Sequence, residues 1–169
     1  MKLVLVDASS AILLFKAALL ERVAACYELT AVPAVYKEIT VAGQPGALFF
    51  ERMVSGGLLR VCGHERPAAL FQGFHTLGAG ERDTMIAFFQ YPINFVIMDD
   101  RKGASLCRSK KIPYINALLC PKILLFSGHA DAGVCEEAFG RLLRIGRYSR
   151  WVREFAERAQ RSDLELFLP

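Results

Sequence analysis

Two short apolar runs end abruptly in carboxylates, and they limit what this chain can fold into. Residues 3–6 read LVLV and stop at Asp7; residues 94–98 read NFVIM and stop at Asp99-Asp100. Continuous β-rich runs of this length fit strands buried on both faces, as in a parallel sheet. Segments of helical character lie between them. AILLFKAALLERVAACY (11–27) follows Asp7 and Ser9-Ser10, whose side-chain oxygens suit a helix N-cap. ELTAVP (28–33) is a second strand candidate, and Pro33 suits the first turn of the helix that follows, AVYKEITVA (34–42). Glycine and proline then break the pattern before a short helix, ALFFERMVSG (47–56), and LLRVC (58–62) reads as a strand. Residues 63–76 show no strong period. LGAGERDTMIAFFQ (77–90) brings glycines before a helix that opens acidic, DRKGASLCRSKK (100–111) reads as a helix, and IPYI (112–115) as a brief strand. Residues 116–160 look helical, with breaks near Gly128, Gly133 and Gly146. Alternating strands and helices imply an α/β fold, a three-layer α/β/α sandwich around a mostly parallel sheet. No linker, repeat or low-complexity stretch divides residues 1–169, so one domain is expected.

Composition removes several function classes. Hydrophobic residues make up 53% of the 169, and mean hydropathy is +0.29, which argues against global disorder. No apolar stretch approaches the roughly 18–20 residues that span a bilayer. The run before Asp7 is too short for a secretory signal, so a cytoplasmic protein with no membrane association is expected. The five cysteines are odd in number and form no C-x-x-C pair. Cys62 and His64 make a lone C-x-H, His75 and His129 are isolated, and there is no H-E-x-x-H, so zinc is not expected. Neither glycine-rich nucleotide-binding signature occurs.

The charge balance is +4, which permits a polyanionic partner. Arginines recur from Arg141 to Arg161, and the plain reading is a solvated helical face. Tyr148, Trp151 and Phe155 interleave with Arg147, Arg150 and Arg153, a pattern able to stack on unpaired bases. Helical aromatic stripes are more often core, so Trp151 and Phe155 are expected inside.

In parallel sheets functional groups collect beyond the carboxyl ends of the strands. Asp7, Asp99 and Asp100 stand at such ends, and Glu81 and Asp83 open a helix. Each also has an ordinary explanation as a helix cap or first-turn acid. Glu38 shares a helical stripe with Val35, Ile39 and Ala42, where a carboxylate is expensive unless compensated; a snorkelled edge position is the alternative. Carboxylates gathered in one pocket raise each other's pKa, and a hard cation such as Mg²⁺ or Mn²⁺ removes the conflict. Such a site hydrolyses phosphodiesters.

These segments together resemble a known family. LVLVDASSAIL resembles the opening of PIN domains, a strand ending in a metal-binding Asp, then a small residue and a hydroxyl. VPAVYKEI is similar to their second motif, with Glu38 as its acid; LGAGERDTMIAFF resembles the third, and FVIMDDRKGASLCRSKKIPYIN the fourth. The resemblance covers about residues 1–125, leaving a helical part, 126–169, in which IGRYS and the following helices are similar to the tails of some bacterial PIN-like proteins. It implies a PIN-like sandwich and a Mg²⁺- or Mn²⁺-dependent ribonuclease, as in the toxins of toxin–antitoxin pairs. The implied catalytic acids are Asp7, Glu38, Glu81 or Asp83, and Asp99 or Asp100. Asp7, Glu38, Asp83 and Asp100 form the metal set, with Ser9 as a hydroxyl near the metal. Arg101, Lys102, Arg108, Lys110 and Lys111 follow the fourth motif, where they can hold RNA phosphates. The implied partners are RNA, a small antitoxin and a second copy in a homodimer. Helices over 11–25 and 47–54 are the expected antitoxin surface.

The chain also departs from the pattern. Met98 stands two places before Asp100, where Thr or Ser is usual, and residues 42–76 are longer than in compact toxins. These departures motivate an alternative, a PIN-like module that binds RNA or protein without cutting. A dehalogenase-type phosphatase would need an Asp at position 9, which is Ser, and a receiver-like phosphoacceptor would order its acids differently.

Overall fold

The structure, a computed structural model, describes residues 1–63 and 77–169. Five strands among these residues form one sheet: β1 (Leu3–Val6), β2 (Glu28–Ala31), β3 (Arg60–Val61), β4 (Phe95–Ile97) and β5 (Tyr114–Ile115). Their spatial order is β3-β2-β1-β4-β5, and all neighbours run parallel. Val4, Leu5, Val6, Phe95, Val96 and Ile97 are completely buried, as the two apolar runs imply. Parallel neighbours need crossovers, and helices α1 (Ala8–Lys16), α2 (Leu20–Cys26), α3 (Pro33–Ile39), α4 (Ala47–Ser55), α5 (Ala79–Gln90) and α6 (Arg101–Lys110) lie along these connections. The expected mostly parallel α/β/α sandwich is thus an all-parallel sheet flanked by helices. Among the described residues no helix is long and apolar enough to cross a membrane.

Several expected boundaries move. The helix read over 11–27 is two, α1 and α2, separated at Ala18, which adopts a left-handed φ of 57°. Both helices bury apolar residues (Leu14 on one side, Leu20 and Val23 on the other), so the apolar pattern runs through a break marked by neither Gly nor Pro. The helix read over 34–42 stops at Ile39. Gly133 lies in the first turn of the helix Ala132–Ile145 rather than in a break, because Asp131 caps that helix through the Val134 N–H at 2.9 Å. His64 and His75 lie outside the described residues, and all five cysteines are free thiols.

After β5 come a 3-10 turn (Ala117–Leu119), α7 (Cys120–Phe126), α8 (Ala132–Ile145), α9 (Arg150–Arg158) and a 3-10 stretch (Arg161–Phe167). That last stretch returns to the sheet. The Phe167 ring stands edge-on to Phe95 at 5.2 Å, Phe95 meets Tyr27 at 5.4 Å, and Lys2 Nζ donates to the Leu166 carbonyl at 3.0 Å. These contacts gather at the amino ends of β1 and β4, leaving the carboxyl ends to the acids.

Met98 is fully buried and packs on Gly103 of α6, where an added Cβ would collide with its Sδ. Overpacking of this kind costs about 1–3 kcal/mol, more than the roughly 1 kcal/mol of helix propensity that alanine adds. Gly103→Ala is therefore expected to lower the urea midpoint, with a net loss of up to about 2 kcal/mol. An unchanged midpoint would show that Met98 has room to move.

Candidate active site

The chain runs from β1 to β3 on one side of the sheet, then crosses to β4 and β5 on the other. The order therefore reverses between β1 and β4, the place where open α/β sheets bind ligands. Val6 lies opposite Ile97, and the Asp7 N–H donates to the Ile97 carbonyl at 3.1 Å. Asp7 and Asp99 thus leave adjacent strand ends at nearly the same level.

Both acids are held by the start of α1. Asp7, only 3% exposed, caps that helix: its Oδ1 accepts the Ser10 N–H at 2.7 Å, and its Oδ2 accepts the Ser9 hydroxyl at 2.7 Å. Ser10 is fully buried and serves both acids, its hydroxyl donating to Asp99 Oδ2 at 2.7 Å. The Ala117 N–H donates to the same oxygen at 2.8 Å, while Asp99 Oδ1 is buried with no hydrogen-bond partner. Burial pushes the Asp7 carboxyl up to about 6; the charge of Asp99 adds to the rise, and the Ser9 and Ser10 hydrogen bonds oppose it. Burial also raises Asp99 above the usual carboxylate range.

Tyr148, from the tail, brings its buried hydroxyl beside these acids. Its ring folds over Gly146, where any Cβ would collide with it. Its buried hydroxyl feels the charge of Asp99 without a well-formed hydrogen bond, and burial together with that charge holds the phenol well above its ordinary value. The Cys107 thiol is pushed up to about 12 by burial and by Asp7. Burial raises the other four cysteines too, so none is a ready thiolate.

The other expected acids are placed differently. Glu38 is exposed, and the buried stripe of α3 consists of Val35 and Ile39. The expectation of a carboxylate on the apolar stripe is corrected accordingly: Glu38 sits at its edge, the snorkelled alternative. Partial burial raises Glu38, and the neighbouring Glu81 adds to this, so these two make a second acidic pair. Glu81 folds back over Gly78, with Oε2 buried and without a hydrogen-bond partner. Asp83 is 1% exposed, with Oδ1 3.5 Å from Arg82 Nε. Asp100 caps α6, its Oδ2 accepting the Gly103 N–H at 2.7 Å, and its own N–H lies 3.4 Å from Asp7 Oδ2. Among the described residues no three potential ligands stand together as a ready metal-binding group. Arg101, Lys102, Arg108, Lys110 and Lys111 are exposed on α6 and at its end, and Arg108 Nη1 donates to the Tyr114 hydroxyl at 2.9 Å.

Two participants escaped the sequence reading. Ser10 carried a signal, the second hydroxyl after Asp7, but which hydroxyl meets which acid depends on α1 and β4 together. Tyr148 stood out only as an aromatic among arginines, because only the fold returns the tail to Asp99. The core placement expected for Trp151 and Phe155 is also overturned: they are 72% and 38% exposed. The inward positions of this helix are taken by Val152 and Ala156, and Ala159 is buried directly after its end.

No curated protein and no solved structure matches the chain significantly. The family model of the PIN domain matches residues 3–121, which run from β1 through β5 into α7 and include every candidate acid. With the all-parallel sheet and its acid-tipped crossing point, this match establishes that the chain belongs to the PIN-domain family.

Proposed function

We propose that the chain is a metal-dependent endoribonuclease acting at Asp7 and Asp99. PIN domains are in general nucleases and typically use divalent metals, which supports the class of reaction. The observation that carries the reading is the buried Asp7–Asp99 pair, joined by Ser10, with Asp99 Oδ1 left without a hydrogen bond. Unpaired buried carboxylates are costly, and their raised pKa values report that strain. Hard anionic oxygens in this number fit Mg²⁺ or Mn²⁺, since Mg²⁺ takes one or two carboxylates and keeps several waters. A divalent ion bound there supplies Lewis acidity toward water and a phosphate oxygen.

The chain's own residues do the remainder. Ser10 fixes the two carboxylates relative to each other, and Ser9 orients Asp7 Oδ2. Tyr148 covers Asp99 and limits the access of bulk water. Glu38 with Glu81 forms the second acidic pair, and Asp83 and Asp100 complete the set that the family resemblance implies. The cations of α6 begin directly after Asp100 and hold the RNA backbone. In the finer form of this proposal the protein is a cytoplasmic toxin, acting as a homodimer and neutralised by a small antitoxin.

Two observations favour a second reading, a PIN module that binds without cutting. No three ligands stand together among the described residues, and Met98 fills the core at the usual hydroxyl position. An end-labelled, mixed-sequence single-stranded RNA pool separates the two readings. Cutting with Mg²⁺ or Mn²⁺ is expected, lost in chelator and reduced at least about 100-fold in Asp99→Asn, since even partners of metal ligands are worth 10- to 100-fold. Cutting that survives both treatments would remove the proposed site. A folded wild type that cuts with neither metal would support the binding module.

A further inference from the structure

The last helix carries an aromatic pair that the core does not use. Trp151 and Phe155 lie one turn apart on α9, with ring centroids 5.8 Å apart and planes only 12° from parallel. Trp151 is 72% exposed, so one face of the stack is open to solvent. Single exposed apolar residues are ordinary on protein surfaces. A pre-stacked, parallel pair beside cations is a more specific arrangement. Between residues 141 and 161 there are seven arginines against two glutamates, and Arg158 follows Phe155 by three places on the same side of the helix.

The helix is also tied to the candidate active site. Ser149 caps it through the Val152 N–H at 3.3 Å, and Arg153 Nε donates to the Tyr148 carbonyl at 3.1 Å. Tyr148 in turn lies against Asp99. The residue that caps the aromatic helix and the residue beside the acids are therefore adjacent in the chain and tied to that helix by these hydrogen bonds.

We propose that Trp151 and Phe155 form a stacking platform for an unpaired base of single-stranded RNA, with the surrounding arginines taking its phosphates. Every base has a π-face, so the platform is tolerant of sequence, and its arginines complement a polyanion rather than a neutral protein surface. The proposal rests on RNA being the substrate. It adds where the strand next to the cut is gripped, and it predicts a requirement for unpaired bases.

Trp151 is the sole tryptophan of the chain and serves as its own reporter. The test titrates the metal-free 169-residue chain in chelator, where cutting plays no part. One ligand is a fluorescein-labelled 12-nucleotide single-stranded RNA; the other is an abasic strand with the same phosphates. Saturable quenching of tryptophan fluorescence by the RNA, absent with the abasic strand, is expected. Trp151→Ala should weaken binding, read by fluorescein anisotropy, roughly 5- to 150-fold, and Trp151→Phe should restore most of it. RNA that binds without quenching and equally well to Trp151→Ala would overturn the platform. So would equal quenching by the abasic strand. A shift from dimer to monomer in Trp151→Ala, with RNA binding unchanged, would instead make this face a contact between copies. A protein that binds RNA through Trp151 yet cuts nothing would retain the platform and lose the nuclease, so the two readings fail separately.

Discussion

Asp7→Asn is expected to abolish metal-dependent cutting and, at the same time, to raise the melting temperature of the metal-free protein. Loss of cutting follows from removing one of two buried carboxylates at the crossing point, with an effect of at least about 100-fold. The gain in stability follows from the raised carboxyl, at about 6 in the folded chain against an ordinary value of 3.8. A raised acid favours folding while protonated. Its contribution is full below about pH 3.8 and lost as pH rises through about 6. At neutral pH the ionised group therefore destabilises the metal-free fold, by about 3 kcal/mol for a difference of this size.

Asparagine has no charge to desolvate and caps helices as well as aspartate does. For a chain of this length, a gain of about 6–12 °C at pH 7.5 is expected, shrinking to nothing near pH 4. The titratable groups that face Asp7 are Asp99, Tyr148 and Cys107; a carboxyl, a phenol and a thiol have no cationic form, so none of them supplies a compensating charge. Scanning calorimetry at both pH values in chelator is the check. A melting temperature that falls in Asp7→Asn would mean that the carboxylate is stabilising as an anion. Adding Mg²⁺ should stabilise the wild type, by mass action on the folded state, and leave the variant unmoved.

Phe95→Ala should give the largest loss of stability. Phe95 is fully buried and meets Tyr27 and Phe167 edge-on, so its removal takes away a strand residue and the anchor of the carboxyl-terminal turn. Truncations of buried phenylalanine cost about 3–5 kcal/mol, which lowers the melting temperature by roughly 10 °C in a chain of this size. Phe95 precedes Asp99 by about 13 Å of extended chain. Cutting measured well below the new melting temperature should therefore stay near the wild-type rate. A loss under about 1 kcal/mol would show that residues 161–169 do not close this end of the sheet.

The strands and their acids were legible because each is a local pattern. An apolar run without alternation reports burial on both faces, and a carboxylate directly after it marks a strand end. The order of four acidic motifs, read together, also identified the family. The helix break at Ala18 was not legible, because a continuous apolar pattern hides a single left-handed residue. Nor was the position of Glu38, since α3 stops before a third buried position can fix the stripe.

Trp151 and Phe155 show the same limit from the other side. Their spacing proves one face of a helix, but only neighbouring elements decide whether that face is covered. Ser10 reaching Asp99 and Tyr148 covering it span 89 and 49 residues of sequence. The sequence by itself determined which residues end strands, which can cap helices and which family they belong to, because those properties arise within a few residues. Pairing the acids, exposing the aromatic stack and returning the tail to the sheet were decided only in three dimensions, where strand order sets which ends become neighbours.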